Sequence, residues 1–170
     1  MIQSSGQYAT VMLVFARIYR KATKLAAAAF LKVLTRTVPS RIHTILTDNG
    51  VQFVDRYQGV SQTWIGHIFG RTCQSNGIEH RLTKPNHPWT NGQVERMTRT
   101  IKEATVKRYH YRSHKQLRAH LQTFIDAYNF ARRLKTLRGL TPYEHICKCW
   151  TDAPKRFKLN PLQDMPGLNT

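Results

Sequence analysis

The chain has 170 residues, of which 27 are Lys or Arg and 9 are Asp or Glu, so its formal charge at neutral pH is +18. A hydrophobic fraction of 41 % and an aromatic fraction of 10 % are ordinary for a folded domain, so the composition excludes a disordered polycation. The length suits one domain of roughly 100–200 residues, and the positive excess predicts a polyanionic partner, with nucleic acid ahead of an anionic membrane surface.

The first part of the chain predicts an α/β pattern. Residues 1–10 are expected to be unstructured, and the apolar, β-branched segment 11–19 is expected to form a strand. The alanine-rich segment 23–38 predicts a helix, and 41–47 predicts a second strand that ends at a turn. The helical spacing of the alanine-rich segment is carried by Leu25, Ala28, Ala29, Lys32 and Val33. Strand, helix and strand in this order predict a crossover between parallel strands, whose carboxyl ends carry ligand sites.

From residue 62 the pattern becomes mainly helical. Residues 62–76 predict a helix that is closed by Asn76-Gly77, and 78–82 predict a short strand. A loop rich in Pro and Asn follows over 83–92. Helical spacing returns over 93–109, with a predicted buried stripe at Val94, Met97, Ile101 and Ala104 or Thr105.

The C-terminal part predicts two further helices and a tail. Leu117, Leu121, Phe124, Ile125 and Tyr128 form an amphipathic pattern. Thr141-Pro142-Tyr143-Glu144 predicts a helix start, because Thr can cap, Pro suits the first helical position and Glu lies three residues after the cap. The tail over 151–170 contains three prolines and is expected to be extended.

Neither targeting nor zinc binding is indicated. No segment has the features of a secretory signal, and no apolar run approaches the ~18 residues of a membrane span. Three cysteines give an odd count, and the eight histidines show no zinc-type spacing with Cys or Glu. The sequence therefore predicts a cytoplasmic protein with reduced thiols and no membrane partner.

Two of the nine acids stand at positions that suit catalysis. Asp48 ends a predicted buried strand, and Glu95 begins a helix after a rigid loop, so the backbone fixes both carboxylates. Carboxylate oxygens from different elements can bind a pair of Mg²⁺ ions that act in phosphoryl transfer. Both residues also have an ordinary structural role, because Asp suits a turn and Glu complements the dipole in a first helical turn.

The motifs around these acids resemble a known family. Thr47-Asp48-Asn49-Gly50 with Phe53, and the run from His87 to Arg96, are similar to the catalytic core of DDE-type insertion-sequence transposases, whose core is retroviral-integrase-like. The resemblance runs from about residue 10 to the end of the chain and implies an α/β, RNase H-like fold. It also implies DNA integration and transposition, in which the enzyme nicks the transposon end and joins its 3′-hydroxyl to target DNA.

The same resemblance assigns the site residues. It implies three carboxylates that bind two Mg²⁺ or Mn²⁺ ions, with Asp48 as the second acid and Glu95 as the third. The residues expected to position the loops of this site are Asn49, Gly50, His87, Asn91 and Gly92.

One member of that carboxylate set is missing, because the sequence contains no Asp or Glu before Asp48. Segment 11–19 is similar to the family's third strand, so the first two strands are expected to be absent and strand 41–47 to have an open edge. The predicted organisation is an unstructured start over 1–10, a truncated catalytic core over 11–112, C-terminal helices of the same domain over 113–150 and an extended tail over 151–170. We expect a core fragment that is inactive alone, whose partner besides DNA is a second copy of the chain or a missing N-terminal portion. Whether a neighbouring reading frame, a partner chain or nothing supplies the first acid is left open by the sequence.

Basic residues after Glu95 predict contacts with DNA. Arg99 and Lys102 lie four and seven residues after Glu95 and share its helical face, where they would meet phosphates. The predicted DNA contacts are Arg96, Arg99, Lys102, Lys107 and Arg108, and aromatic rings interleave with cations at Tyr109, His110 and Tyr111. No base-reading motif is visible, so binding is expected to be salt-sensitive and weakly specific.

Two other functions remain as alternatives. The first is a non-catalytic DNA-binding remnant of a transposase. The second is a ribosome- or RNA-associated protein, which accounts for the charge but not for the motifs at Asp48 and Glu95.

Overall fold

The computed structural model describes residues 2–3, 13–54, 68–83 and 92–163. They divide into two compact units. The described part of the first unit contains residues 2–3, 19–38, 42–54, 68–83 and 92–94, and that of the second contains 13–18, 39–41 and 95–163.

Helices dominate the described residues, with three short strands. The elements are β1 (Ile2–Gln3), α1 (Lys24–Thr37), β2 (Thr44–Thr47), α2 (Ile68–Ser75), β3 (Glu79–Leu82), α3 (Gly92–Ala104), α4 (His114–Asp126), a π-helical turn (Ala127–Ala131) and α5 (Pro142–Asp152), with short 3₁₀ turns at Lys135–Leu137 and Pro154–Arg156. Within the described residues, no helix combines the length and the apolar character that crossing a membrane requires.

The first unit is built on a three-stranded sheet in the order β1-β2-β3. β2 and β3 are parallel, from Thr44 opposite Glu79 to Thr47 opposite Leu82, and the chain between them contains α2. The predicted parallel crossover therefore exists, but it joins β2 to β3 and not segment 11–19 to segment 41–47. β1 pairs antiparallel with β2, with Ile2 opposite Ile45.

The prediction of a strand over 11–19 is wrong for its described part, residues 13–19, which form no ladder. Most of this segment belongs to the second unit, where the backbone of Val14 is hydrogen-bonded to the side-chain amide of Asn129. Conversely, Ile2 and Gln3 form a strand although no regular structure was expected over 1–10, and they cover part of the β2 edge that was expected to be open. Apolar, β-branched composition favours an extended backbone without specifying what pairs with it.

Helix α1 is confirmed, but its buried face differs from the predicted one. Thr23 caps the helix, since its hydroxyl oxygen accepts a hydrogen bond from the Ala26 N–H at 3.1 Å. The buried residues are Ala28, Leu31 and Leu34. Leu25, which belongs to the predicted stripe, is 68 % exposed. Alanines at four consecutive positions suit several helical stripes equally well, which is why the pattern gave the wrong phase.

Helix α2 ends at the predicted left-handed cap. Gly77 has φ +66°, and the Ile78 N–H donates to the Cys73 carbonyl at 2.9 Å, which closes the last turn. Strand β3 begins directly after this cap, at Glu79. The described part of the predicted helix, 68–76, is thus helical through Ser75, and residues 62–67 lie outside the described residues.

Helix α3 ends at Ala104, earlier than the predicted residue 109. The chain leaves the helix at Thr105, whose buried hydroxyl donates to the Ile101 carbonyl at 2.6 Å. The predicted stripe is confirmed at Thr105, whereas Val94 is 38 % exposed.

Helix α4 and the π-helical turn after it contribute three buried apolar residues of the second unit, Leu121, Ile125 and Tyr128, all of which the amphipathic pattern predicted. Helix α5 has the predicted capping box: the Glu144 N–H donates to the Thr141 hydroxyl at 3.1 Å, and the Thr141 N–H donates to the Glu144 carboxylate at 2.8 Å.

The described part of the predicted tail, 151–163, is bound to the second unit. The Arg41 N–H donates to the Arg156 carbonyl at 2.9 Å, and the Tyr143 hydroxyl donates to the Pro161 carbonyl at 2.8 Å. The Pro161 side chain is fully buried. These hydrogen bonds and the burial of Pro161 hold the described part of the tail to its own unit.

Candidate functional site

Asp48 lies immediately after β2 in the first unit. Its side chain is exposed, and its Oδ1 atom accepts a hydrogen bond from the Gly50 N–H at 3.0 Å. This is an Asx turn, the ordinary structural role that the tripeptide suggests. The turn holds the carboxylate at the carboxyl end of a parallel strand, the edge at which ligand sites form in such sheets.

Residues inside and outside the sequence motif hold this turn in place. The Thr47 hydroxyl is hydrogen-bonded to His80 Nε2 at 2.8 Å. The His80 ring packs edge-on against Phe69, and Phe69 packs edge-on against Phe53, with 5.0 Å between ring centroids in each pair. Asp48 therefore lies in the chain between Thr47 and Phe53, whose side chains both make these contacts. Thr47 and Phe53 belong to the sequence motif, whereas His80 and Phe69 lie outside it.

Glu95 lies in the first turn of α3, where it is exposed, and it belongs to the second unit. Arg99 and Lys102 follow on the same helix at the predicted spacing and are also exposed. Side chains four and seven residues apart on a helix share one face, so the helix presents one carboxylate followed by two cations along a single stripe.

The remaining predicted DNA contacts are exposed as well. Arg96 is on α3, and Lys107 and Arg108 are in the turn after it. That turn is fixed by its backbone, since the Lys107 N–H donates to the Lys102 carbonyl and the Arg108 N–H donates to the Thr105 carbonyl, at 2.9 and 3.0 Å.

The predicted loop-positioning residues are divided. Asn49, which is exposed, and Gly50, which is half-buried, form the turn after Asp48, and Gly92 is the first residue of α3. His87 and Asn91 lie outside the described residues, so their predicted roles remain predictions.

The described residues do not supply the complete set of metal ligands that the resemblance implies. In those parts of the chain, no group of three His, Cys, Asp or Glu side chains could hold a metal ion. The carboxylates of Asp48 and Glu95 have the hard oxygens that Mg²⁺ prefers. Glu79 is already engaged, because it pairs with Arg81 at 2.8 Å and accepts a hydrogen bond from Thr44. The Arg81 contact lowers the pKa of the Glu79 carboxyl.

One close pair of potential ligands went unnoticed in the sequence. His145 Nε2 lies 3.4 Å from Cys149 Sγ, because residues four apart on α5 share a face. Burial lowers the pKa of His145 and raises the pKa of the Cys149 thiol. Spacing of four between His and Cys on a predicted helix was the available signal. Two ligands do not complete a four-coordinate zinc site.

Positive charge is concentrated in the second unit. By sequence this unit has 18 Lys and Arg and 6 Asp and Glu, and subtracting 6 from 18 gives a formal charge of +12 out of the total +18. Among the described residues, the ion pairs found join Glu79 to Arg81 and Glu144 to Arg133. None of these described ion pairs involves a predicted DNA contact.

Comparison with known proteins shows similarity in both sequence and structure. Residues 76–142 match the family model of the integrase core domain, a range that includes α3 and Glu95 and begins after Asp48. The uncharacterized protein K02A2.6 of Caenorhabditis elegans is 36 % identical over 64 residues, which are 38 % of this chain and 4 % of that protein. The crystal structure of the catalytic core domain of BIV integrase superimposes with a TM-score of 0.60 and 23 % identity, over 84 % of this chain and 83 % of that chain.

The structural match agrees with the elements described above. The chain has a sheet with one parallel pair of strands, helices between and after the strands, and a helix that carries Glu95. The sequence match covers residues 76–142 alone, and the structural match, at 23 % identity, concerns the fold. The chain has an integrase-like core with an RNase H-type fold.

Proposed function

We propose that this chain is part of an integrase- or transposase-type protein that processes DNA, and that the 170-residue polypeptide binds DNA without completing phosphoryl transfer by itself. The observation that carries the proposal is the stripe on α3 on which Glu95 is followed by the exposed cations Arg99 and Lys102. The integrase-like fold and the concentration of charge in the second unit support it.

In this proposal the basic residues bind the DNA backbone. The cations Arg96, Arg99, Lys102, Lys107 and Arg108 contact phosphates, which positions the duplex without reading its sequence. By the resemblance, Asp48 stands at the position of the second carboxylate and Glu95 at that of the third, and Asn49, Gly50, His87, Asn91 and Gly92 stand at the positions assigned to the loops of the implied site. Integrase core domains in general use divalent metal ions. Because the described residues do not form a three-ligand group, no step of the proposal depends on such an ion.

Duplex DNA binding is expected to depend steeply on salt. Five phosphate contacts would release condensed counterions with a slope of about −4.5 in log affinity against log salt, or roughly a 500-fold loss of affinity between 50 and 200 mM. Fluorescence anisotropy with a labelled random-sequence duplex of about 20 base pairs measures this slope.

Single-residue variants locate the contacts. Arg99→Ala and Lys102→Ala should each reduce the slope by about 1, whereas Lys32→Ala, which removes an exposed cation from α1, should leave it unchanged. An affinity for duplex DNA that does not change with salt contradicts the proposal. Equal binding of duplex RNA, with no effect of either α3 variant, would favour the RNA-associated alternative.

The purified polypeptide is expected to have no cleavage activity of its own. Incubation with supercoiled plasmid DNA and Mg²⁺ or Mn²⁺ should give the same nicking rate for the unaltered chain and for Asp48→Asn, because no acid precedes Asp48 in this sequence. Gel electrophoresis of the nicked and closed forms measures the rate, and Asp48→Asn controls for contaminating nucleases. Nicking that is lost on substitution of Asp48 would show that this chain completes the reaction, contrary to the proposal.

A further inference from the structure

An exposed aromatic ring stands among cations in the turn between α3 and α4. Tyr109 is 47 % exposed. Its ring packs edge-on against His120 of α4 with 5.0 Å between centroids, and the Arg108 guanidinium lies 5.8 Å from its centroid. We call Tyr109, Tyr111 and His120 the aromatic platform. All three belong to the second unit.

Three hydrogen bonds fix the aromatic platform and the chain next to it. The Tyr109 N–H donates to the buried Thr105 at its carbonyl oxygen, 2.9 Å away. The Tyr111 hydroxyl is hydrogen-bonded to His120 Nδ1 at 2.6 Å, and the Arg112 N–H donates to the Gln116 side chain at 3.0 Å. An exposed ring held in this way loses little conformational freedom when another group stacks on it, which favours binding.

Charge around the platform suits a polyanionic strand. Glu103 is the only acidic residue in the sequence between positions 102 and 120. The cations in the same interval are Lys102, Lys107, Arg108, Arg112, Lys115 and Arg118, and all six are exposed. A half-exposed ring with a guanidinium beside it, in a stretch of chain rich in exposed cations, is a combination that binds single strands, since bases stack on the ring while cations follow the phosphates.

We propose that Tyr109 is a stacking site for an unpaired DNA base, so that the second unit holds a single-stranded or frayed DNA segment at the turn after α3. This inference rests on the proposed function and adds to it a substrate class, DNA with unpaired bases. The phosphate contacts of α3 do not require it, because they act on a duplex backbone irrespective of base pairing.

The test separates stacking from charge. Anisotropy is measured with a labelled oligothymidine of about 12 nucleotides and with an abasic strand of the same length and charge. The unaltered protein should bind the base-bearing strand more tightly. Tyr109→Ala and Tyr109→Leu should each weaken that binding roughly 5- to 150-fold while leaving abasic binding unchanged, and Tyr109→Phe should keep the preference because it keeps the ring.

Lys115→Ala is the matched control, because it removes an exposed cation from the same interval and should weaken binding to both strands equally. Circular dichroism and duplex affinity, measured on the same samples, verify that each Tyr109 variant is folded. If the Tyr109 variants bind duplex normally and base-bearing and abasic strands lose affinity equally or not at all, the stacking inference is overturned and the proposed function stands. If the unaltered protein binds neither duplex nor single strand, both proposals fail.

Discussion

Replacing Asn129 with alanine is expected to lower the stability of the second unit by about 2–4 kcal/mol. The Asn129 side chain, in the π-helical turn, accepts a hydrogen bond from the Val14 N–H at 2.9 Å and donates one to the Val14 carbonyl at 2.8 Å. Alanine leaves both backbone groups of Val14 without this partner in a partly buried place, where an unmade hydrogen bond costs more than a made one contributes. Urea unfolding followed by circular dichroism measures the loss.

Two further variants show whether hydrogen bonding is responsible. Asn129→Asp keeps the size of the side chain but turns the donor toward Val14 into an acceptor, so it should be at least as destabilising as alanine. Gln122→Ala removes an exposed amide that bonds to Asp126, and it should change stability by less than about 0.5 kcal/mol. Hydrogen exchange at the Val14 amide should accelerate in Asn129→Ala, which removes the acceptor of the Val14 N–H. Unchanged exchange and unchanged unfolding would show that residues 13–18 are held by other contacts.

This pair of hydrogen bonds illustrates what the sequence could not predict. Val14 and Asn129 are separated by 115 positions, and neither residue type nor spacing connects them. The capping box at Thr141 and the left-handed Gly77 were predictable, because each is decided by residues within one turn of the helix that it closes. Local chemistry is therefore visible in the sequence, whereas the partner of an extended segment depends on the whole fold.

In the candidate site too, local features were predictable from the sequence and long-range contacts were not. The helix of Glu95 and the spacing of Arg99 and Lys102 follow from a period of 3.6 residues, and the structure has them as expected. The contact of His80 with Thr47 depends on the parallel register of β2 and β3, which no local pattern specifies. The error over segment 11–19 has the same origin, because a β-branched run predicts extension without naming its neighbour.

Leu31 and Leu25 provide a direct test of the helical phase of α1. Leu31→Ala is expected to destabilise the first unit by about 2–5 kcal/mol, because it leaves a cavity at a residue that is 1 % exposed. Leu25→Ala removes the same atoms from the same helix at a position that is 68 % exposed, and it should change stability by less than about 0.5 kcal/mol. Urea unfolding of the two variants measures the difference, which depends on burial alone.

Leu31→Met separates cavity formation from a general intolerance of substitution, because it nearly preserves volume and should cost less than about 1.5 kcal/mol. The stripe inferred from the sequence contains Leu25 and omits Leu31, so it predicts the opposite order of stability for the two alanine variants. A larger loss for Leu25→Ala would restore that stripe and would contradict the packing of α1 described above. A larger loss for Leu31→Ala establishes that the face with Ala28 and Leu34 is the one that α1 buries.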